Sequence, residues 1–313
     1  MKFMIPFLMA VLPAAPSRDK ARPAATRRPS SNDPSRRNVM TATTAKIREH
    51  YSSTGLTGRI KSALAMIAPE DQMLTVAQLA PLDQFHTRGI LATTELAEAA
   101  GLEPSTRVLD LGCGLGGPAR YLAATFGCKV TGVDLTPTFI DTATYLTARC
   151  GLSDRVTFQV SNALHLPFED AAFDTVFLQH VAMNIEDRTA LYAEVRRILT
   201  PGGRFATYDL VLRDGDVVYP APWARDASTS FLLGESDTRT ALEQAGFNAV
   251  LWRDDTQTAL DWFRAAMAGA PPNGLNLGLV MGPDFAAVTA NLVRNIRENR
   301  LGVLSAVLTT VEA

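Results

Sequence analysis

Residues Val108–Ala123 read VLDLGCGLGGPARYLA. An apolar run ends in Asp110, four glycines crowd a turn, and a helical pattern begins. Gly112, Gly114 and Gly117 satisfy G-x-G-x-x-G between a predicted strand and a predicted helix, a context that makes the pattern more than a chance match. Glycine lets the backbone turn sharply and lets a ligand approach where a Cβ would clash. Asp134 lies 22 residues beyond Gly112, at the end of the next apolar run. Its carboxylate can accept both hydrogen bonds of a ribose diol, so the turn predicts a nucleoside-type ligand.

Outward from this turn, strand and helix periods alternate. Strands are predicted at Arg107–Leu111, Lys129–Asp134, Val156–Val160, Thr175–Leu178, Arg204–Leu210, Ala249–Arg253 and Val303–Val311. Helices are predicted at Gly117–Phe126, after Thr136-Pro137, at Arg188–Leu199 and at Thr238–Ala245. The fold class expected is α/β: a Rossmann-like, doubly wound, mostly parallel seven-stranded sheet with N-terminal helices and a small helical cap. Two segments break the alternation, 211–233 and a helical insert at 261–300. Long excursions at the carboxyl ends of strands usually build the substrate side of such sheets.

Upstream, residues 42–68 carry Ile47, Tyr51, Leu56, Ile60, Leu64 and Ile67 at helical spacing, and Leu91–Ala100 is a helix ended by Gly101. Pro81–Gly89 reads as a loop of mixed chemistry. Residues 40–90 are expected to form a helical cap on a main domain spanning 91–313. Residues 1–39 differ: a short apolar run, then an Arg-, Pro- and Ser-rich stretch with the composition of disorder. That extension is either a targeting segment or an over-long start before Met40. It holds eight basic and two acidic residues, so with a whole-chain charge of −2 the remainder carries −8. An acidic remainder argues against nucleic acid as partner. Three cysteines without C-x-x-C spacing argue against a disulfide framework or zinc site. No apolar run is long enough to span a bilayer. A cytoplasmic protein follows, with a targeting signal in the first 39 residues and a homo-oligomer left open.

Asp110 separates the candidate cofactors. Two residues ahead of the first glycine, a dinucleotide site usually holds an apolar residue, and a carboxylate there would repel a pyrophosphate. S-adenosylmethionine (SAM) has no phosphate and carries an ammonium and a sulfonium, which Asp110 would favour. The alternative is that Asp110 only bonds turn amides. The runs DLGCGLGG, VDLT, NALHLPFEDAAFD and RRILTPGGR together resemble the class I SAM-dependent methyltransferases of small molecules. These include the glycine/sarcosine/dimethylglycine N-methyltransferases and the quinone-biosynthesis C-methyltransferases. The resemblance covers about Leu91–Leu210. It implies that Asp110, Gly112 and Gly114 hold the methionine half of SAM, Asp134 the ribose and Leu135 the adenine face. Asn162-Ala163 would meet the adenine edge, and Gln179 and His180 would face the methyl group. Asn162 departs from the commoner Asp of the family, which removes a charge from that contact.

The acceptor side is read from fewer signals. Gln179–Asn184 and Asp83–His86 resemble stretches of the glycine-betaine-forming N-methyltransferases. His180 is the candidate catalytic base, its alternative a structural histidine bonding a loop carbonyl. His86 and Arg88 either bind an acceptor carboxylate or cap their loop. Tyr219 and Trp223 either wall the acceptor pocket, with a cation–π contact to a methylated amine, or pack a loop on the core. Asp254-Asp255 reads as a solvated turn, with no metal site expected. The function expected is methyl transfer from SAM to a small-molecule acceptor, N-methylation favoured over O- or C-methylation. The rivals are an NAD-dependent oxidoreductase and a non-catalytic SAM-binding protein.

Overall fold

The computed structural model describes residues 41–52, 55–266 and 274–310. The expectations for residues 1–39, Val311 and residues 267–273 of the insert lie outside the described residues. The strands are β1 (Arg107–Leu111), β2 (Lys129–Asp134), β3 (Val156–Val160), β4 (Phe173–Gln179), β5 (Leu199–Leu212), β6 (Phe247–Asp254) and β7 (Leu301–Thr310). They form one sheet in the order β3-β2-β1-β4-β5-β7-β6. β1 pairs in parallel with β2 and β4, while β7 runs antiparallel between β5 and β6. The order reverses at β1, the strand that feeds the glycine turn. That is where an open α/β sheet leaves a crevice at its carboxyl edge.

The helices are α1 (Ala42–Tyr51), α2 (Leu56–Ala65), α3 (Val76–Asp83), α4 (Ile90–Ala100), α5 (Gly117–Phe126), α6 (Pro137–Arg149), α7 (Arg188–Ile198), α8 (Glu235–Gln244), α9 (Thr256–Ala266), α10 (Gly278–Met281) and α11 (Phe285–Arg297). Side chains alternate across the sheet and build a core on each face. Val108 and Phe177 face the layer that holds Leu96 of α4, Leu122 of α5 and Ile296 of α11. Leu109, Val176 and Leu178 face Leu191 and Val195 of α7 and Leu242 of α8. The stripe Leu56, Ile60 and Leu64 of α2 is fully buried against Leu115, Phe139 and Leu146.

Two sequence expectations are corrected. Pro81 does not lie in a loop but inside α3. Thr75 and Gln78 form a reciprocal capping box at the start of that helix, and Leu79 and Leu82 are buried beneath it. The proline removes one hydrogen bond from the last turn of an eight-residue helix, which the cap and the burial outweigh. Asp254 is exposed, as a solvated turn requires, but Asp255 is not. Asp255 is buried, accepting from Arg253 Nε at 2.6 Å and ion-paired with Arg88 at 3.4 Å. Asp254 pairs with Arg213 at 2.5 Å and accepts from the Thr256 amide at 2.9 Å.

α3 delivers Asp83 to the glycine turn. Arg120 of α5 donates to the Asp83 carboxylate at 2.6 Å, with both side chains fully buried. Arg120 also donates to the carbonyls of Leu115 (2.7 Å) and Ala143 (3.2 Å) and to Thr147 Oγ1 (3.0 Å). Gly117 is the point of closest approach, since a Cβ there would lie 2.3 Å from the Asp83 carbonyl oxygen. Arg120→Met would strand the Asp83 carboxylate without a cation. It is expected to lower stability by about 3–5 kcal/mol, read as a shift of the urea midpoint, with Asp83→Asn/Arg120→Met recovering part of the loss.

Candidate active site

The crevice at the carboxyl edge of β1 opens into a cavity of about 980 Å³. Among the predicted cofactor residues, Gly112, Gly114, Asp134, Leu135, Asn162, Ala163 and Gln179 line it. Asp110 sits behind the turn, 2% exposed. Gly112 adopts φ +79°, and a Cβ on it would meet Val181 Cγ2 at 2.4 Å. The turn is therefore closed by side chains from the β4 end as well as by its own backbone.

The two carboxylates of the turn differ in what holds them. Asp134 accepts from the Gly114 amide at 3.1 Å and from the Thr136 amide at 2.9 Å. Burial raises its pKa against those bonds. Asp110 accepts from the Ala119 backbone amide, but its Oδ2 is buried with no hydrogen-bond partner. Burial pushes its pKa up to about 7, with the Ala119 bond opposing and the nearby Asp134 charge adding. A buried acceptor atom left unpaired is costly unless a ligand completes it. The two readings of Asp110 are both visible here, one oxygen bonding an amide and the other unclaimed.

Asn162 lines the cavity, and its Oδ1 accepts from the Leu164 amide at 3.0 Å, shaping its own turn. Gln179 is bonded through its amide to Thr93, Nε2 to Oγ1 at 3.2 Å. His180 follows β4 with φ +53° and lines the cavity. Its ring stacks on Tyr208 at 5.6 Å and lies 6.3 Å from the His86 ring. Burial lowers its pKa to about 3, with His86 adding to the shift. An imidazole so desolvated stays neutral and is a weak base at neutral pH.

His86 and Arg88 do not line the cavity. Their expected contact with an acceptor carboxylate is corrected. His86 Nε2 donates to the Gly89 carbonyl at 2.9 Å, and burial lowers its pKa to about 4. Arg88 is buried against the Glu95 and Asp255 carboxylates. These are loop-capping roles, fixed by ion pairs inside the protein. Tyr219 packs on the core outside the cavity wall. Trp223 does line the cavity, almost fully buried, and its Nε1 donates to Ser230 Oγ at 2.9 Å.

Several cavity residues carried no signal in the sequence. Tyr51 of α1 donates to Asn184 Oδ1 at 2.8 Å. Asn184 Nδ2 donates to the carbonyls of Trp223 (2.9 Å) and Thr229 (3.1 Å). His50 Nε2 donates to the Pro222 carbonyl at 3.1 Å, and burial lowers its pKa. These bonds fasten α1 over the cavity, since no residue of that helix is fully buried. Asn184 sits within the Gln179–Asn184 run already singled out, so only its place as a hub was hidden.

Residues 109–207 match the family described as "Methyltransferase domain". Over 132 residues the chain is 35% identical to the Streptomyces halstedii methyltransferase GfsG, covering 42% of this chain and 48% of that protein. Over 168 residues it is 32% identical to the sterol 24-C-methyltransferase of Schizosaccharomyces pombe, covering 51% of this chain and 44% of that protein. The matched region thus spans less than half the length of either relative. Among solved structures, the geranyl diphosphate C-methyltransferase of Streptomyces coelicolor A3(2) shares the fold. Its TM-score is 0.63 at 17% identity, over 87% of this chain and 98% of that one. Residues 109–207, which hold the parallel core, are thus similar to methyltransferase domains.

Proposed function

We propose that the chain methylates an amine nitrogen of a small molecule, with SAM as donor. The observation that carries the reading is a cavity continuous from the glycine turn to the α1 and Trp223 walls, in which the imidazole after β4, His180, is a weak base. The residues present fit SAM. The unclaimed Asp110 Oδ2 suits a cationic group, and the glycine turn offers a backbone surface without Cβ atoms. Asp110, Gly112 and Gly114 would hold the methionine half, Asp134 the ribose, and Leu135, Asn162 and Ala163 the adenine.

When bound, SAM supplies a methyl group already activated by its positive sulfur. The chain supplies position and dryness. α1, fastened by Tyr51 and His50, covers part of the cavity. Met183, Leu210 and Trp223 give the acceptor a desolvated wall, where an amine is held in its neutral, nucleophilic form. A neutral amine needs no base before it reacts. A phenol does, and His180 with a pKa of about 3 is poorly suited to that task. The kinship with a sterol 24-C-methyltransferase favours a second reading, transfer of the methyl group to a carbon.

Two outcomes are expected. At pH 6 the Asp110 carboxyl is largely protonated in the free protein, because its pKa is about 7. A cation bound beside it requires the carboxylate. SAM binding should therefore release up to about one proton at pH 6 and almost none at pH 9, and affinity should rise between those limits. Calorimetry in buffers of different ionisation enthalpy measures this, and Asp110→Asn should lose the Asp110 share of that proton release along with about tenfold in affinity. His180→Asn keeps a residue that tolerates positive φ. Turnover of an amine acceptor should fall by less than about threefold, against about 10²-fold or more if the true acceptor is a phenol and His180 its base. Labelled-methyl assays on both acceptor classes separate the two.

A further inference from the structure

We infer that the acceptor is a lipophilic amine without an anionic group, admitted by an acidic rim into an apolar chamber; this rests on the methyl-transfer reading above. A volume of about 980 Å³ reaches the top of the range of roughly 300–1,000 Å³ usual for small-molecule sites. The cavity therefore has room for a sizeable acceptor beside a nucleoside. The deep wall of the acceptor half is apolar: Met183, Leu210, Trp223, Val280, Val288 and Leu292 all line it and are buried.

The polar atoms in that half are already committed within the protein. Asn184 accepts from Tyr51 and donates to two carbonyls, Trp223 Nε1 donates to Ser230, and His50 Nε2 donates to Pro222. The first turn of α1 at the rim is capped by its own Thr41, whose Oγ1 accepts from the Thr44 amide at 3.1 Å. The donors of Asn184, Trp223, Tyr51 and His50 are thus spent within the protein, and a buried anion without a partner is strongly disfavoured.

Charge at the rim points the same way. Glu186, Asp187, Asp284 and Arg225 are exposed residues of the cavity lining, and no other arginine or lysine lines it among the described residues. Arg225 is paired with Asp284 at 3.3 Å. Glu186 and Asp187 have no ion-pair partner among the described residues, so the entrance carries a net negative charge. Such an entrance attracts a protonated amine and repels an anion. The apolar chamber beyond it then favours loss of the amine proton.

The test compares butylamine, hexylamine, octylamine and 8-aminooctanoate as acceptors of labelled methyl groups, beside a binding measurement that needs no turnover. Transfer efficiency, kcat/KM, should rise by about fourfold for each methylene buried, the transfer value of one CH₂. The terminal carboxylate of 8-aminooctanoate should lower it at least tenfold, and Glu186→Lys should narrow that gap. Nile red, a neutral apolar dye, should bind the protein saturated with S-adenosylhomocysteine and be displaced by octylamine but not by sarcosine. A flat chain-length series, equal use of octylamine and 8-aminooctanoate, or displacement of the dye by sarcosine would overturn the inference while leaving methyl transfer standing. If no acceptor is methylated, methyl transfer to amines fails. The dye competition then decides the chamber's preference alone, and a dye that does not bind overturns it.

Discussion

The glycine turn is held in place by the buried ion pair between Asp83 and Arg120. Neither side chain touches water, and Asp83 Oδ1 and Arg120 Nε lack partners, so the pair is a demanding one to bury. Burial pushes the Asp83 carboxyl up to about 6, with the Arg120 charge opposing. What offsets the desolvation is the guanidinium fork, which ties α3 to the Leu115 carbonyl of the turn and to α6. The next residues are placed as a consequence. Phe85 lies against Gly114, where an added Cβ would meet its ring at 3.1 Å. His86 falls beside His180, and Arg88 reaches Glu95 and Asp255. One pair thus sets the inner wall of the cavity from a segment 37 residues upstream of the arginine.

Around that wall the carboxyl groups are pushed up by burial and the imidazoles of His86 and His180 are weak bases. His86 and His180 are neutral by burial, while Asp110 and Asp209 are pushed up to about 7 and 6. Asp209 is satisfied by the amides of Ala182 and Leu210, each at 2.8 Å, and so fixes the turn that carries Asn184. Both aspartates have folded pKa values above their unfolded ones. Their contribution to stability is therefore full below the unfolded value near 4 and is lost as pH rises through 6–7. At neutral pH Asp110 is a local destabilisation, which a cation bound at its free oxygen would relieve. A residue that weakens the ligand-free protein is thereby suited to binding.

The elements that were legible in the sequence are those set by local rules. β1, β2, β3 and α5 begin and end where period and glycine placement put them, and the remaining strands differ by a few residues at their ends. The glycine-turn side of the cavity was legible for the same reason. Backbone turns leave a mark in glycine spacing, and Asp110 and Asp134 stand at fixed offsets from it. What was not legible depends on partners far away in the chain. Arg88 looks like a free cation in a loop until Asp255, 167 residues on, is brought beside it. Asp255 looks solvated for the same reason. Asp83 fell in a run singled out for its resemblance, but nothing there marked its ion pair, because that depends on Arg120.

The two halves of the cavity also differ in which polar atoms remain unspent, and this decides how each can recognise a ligand. Behind the glycine turn the Asp110 Oδ2 oxygen is buried and unclaimed, so the recognition proposed there is by charge. On the α1 side the deep polar atoms of Tyr51, Asn184, Trp223 and His50 are consumed in holding α1 and the 221–230 segment together. Those bonds give the chamber its shape and leave it little to say by hydrogen bonding. In the proposed reaction, selection among acceptors then falls to the volume enclosed, to apolar contact, and to the sign of the charge at the entrance. Such selection is carried by ordinary residues such as Met183, Val288 and Leu292, drawn from separate segments. No single one of them has a type or spacing that marks it in the sequence, and only their convergence makes a site.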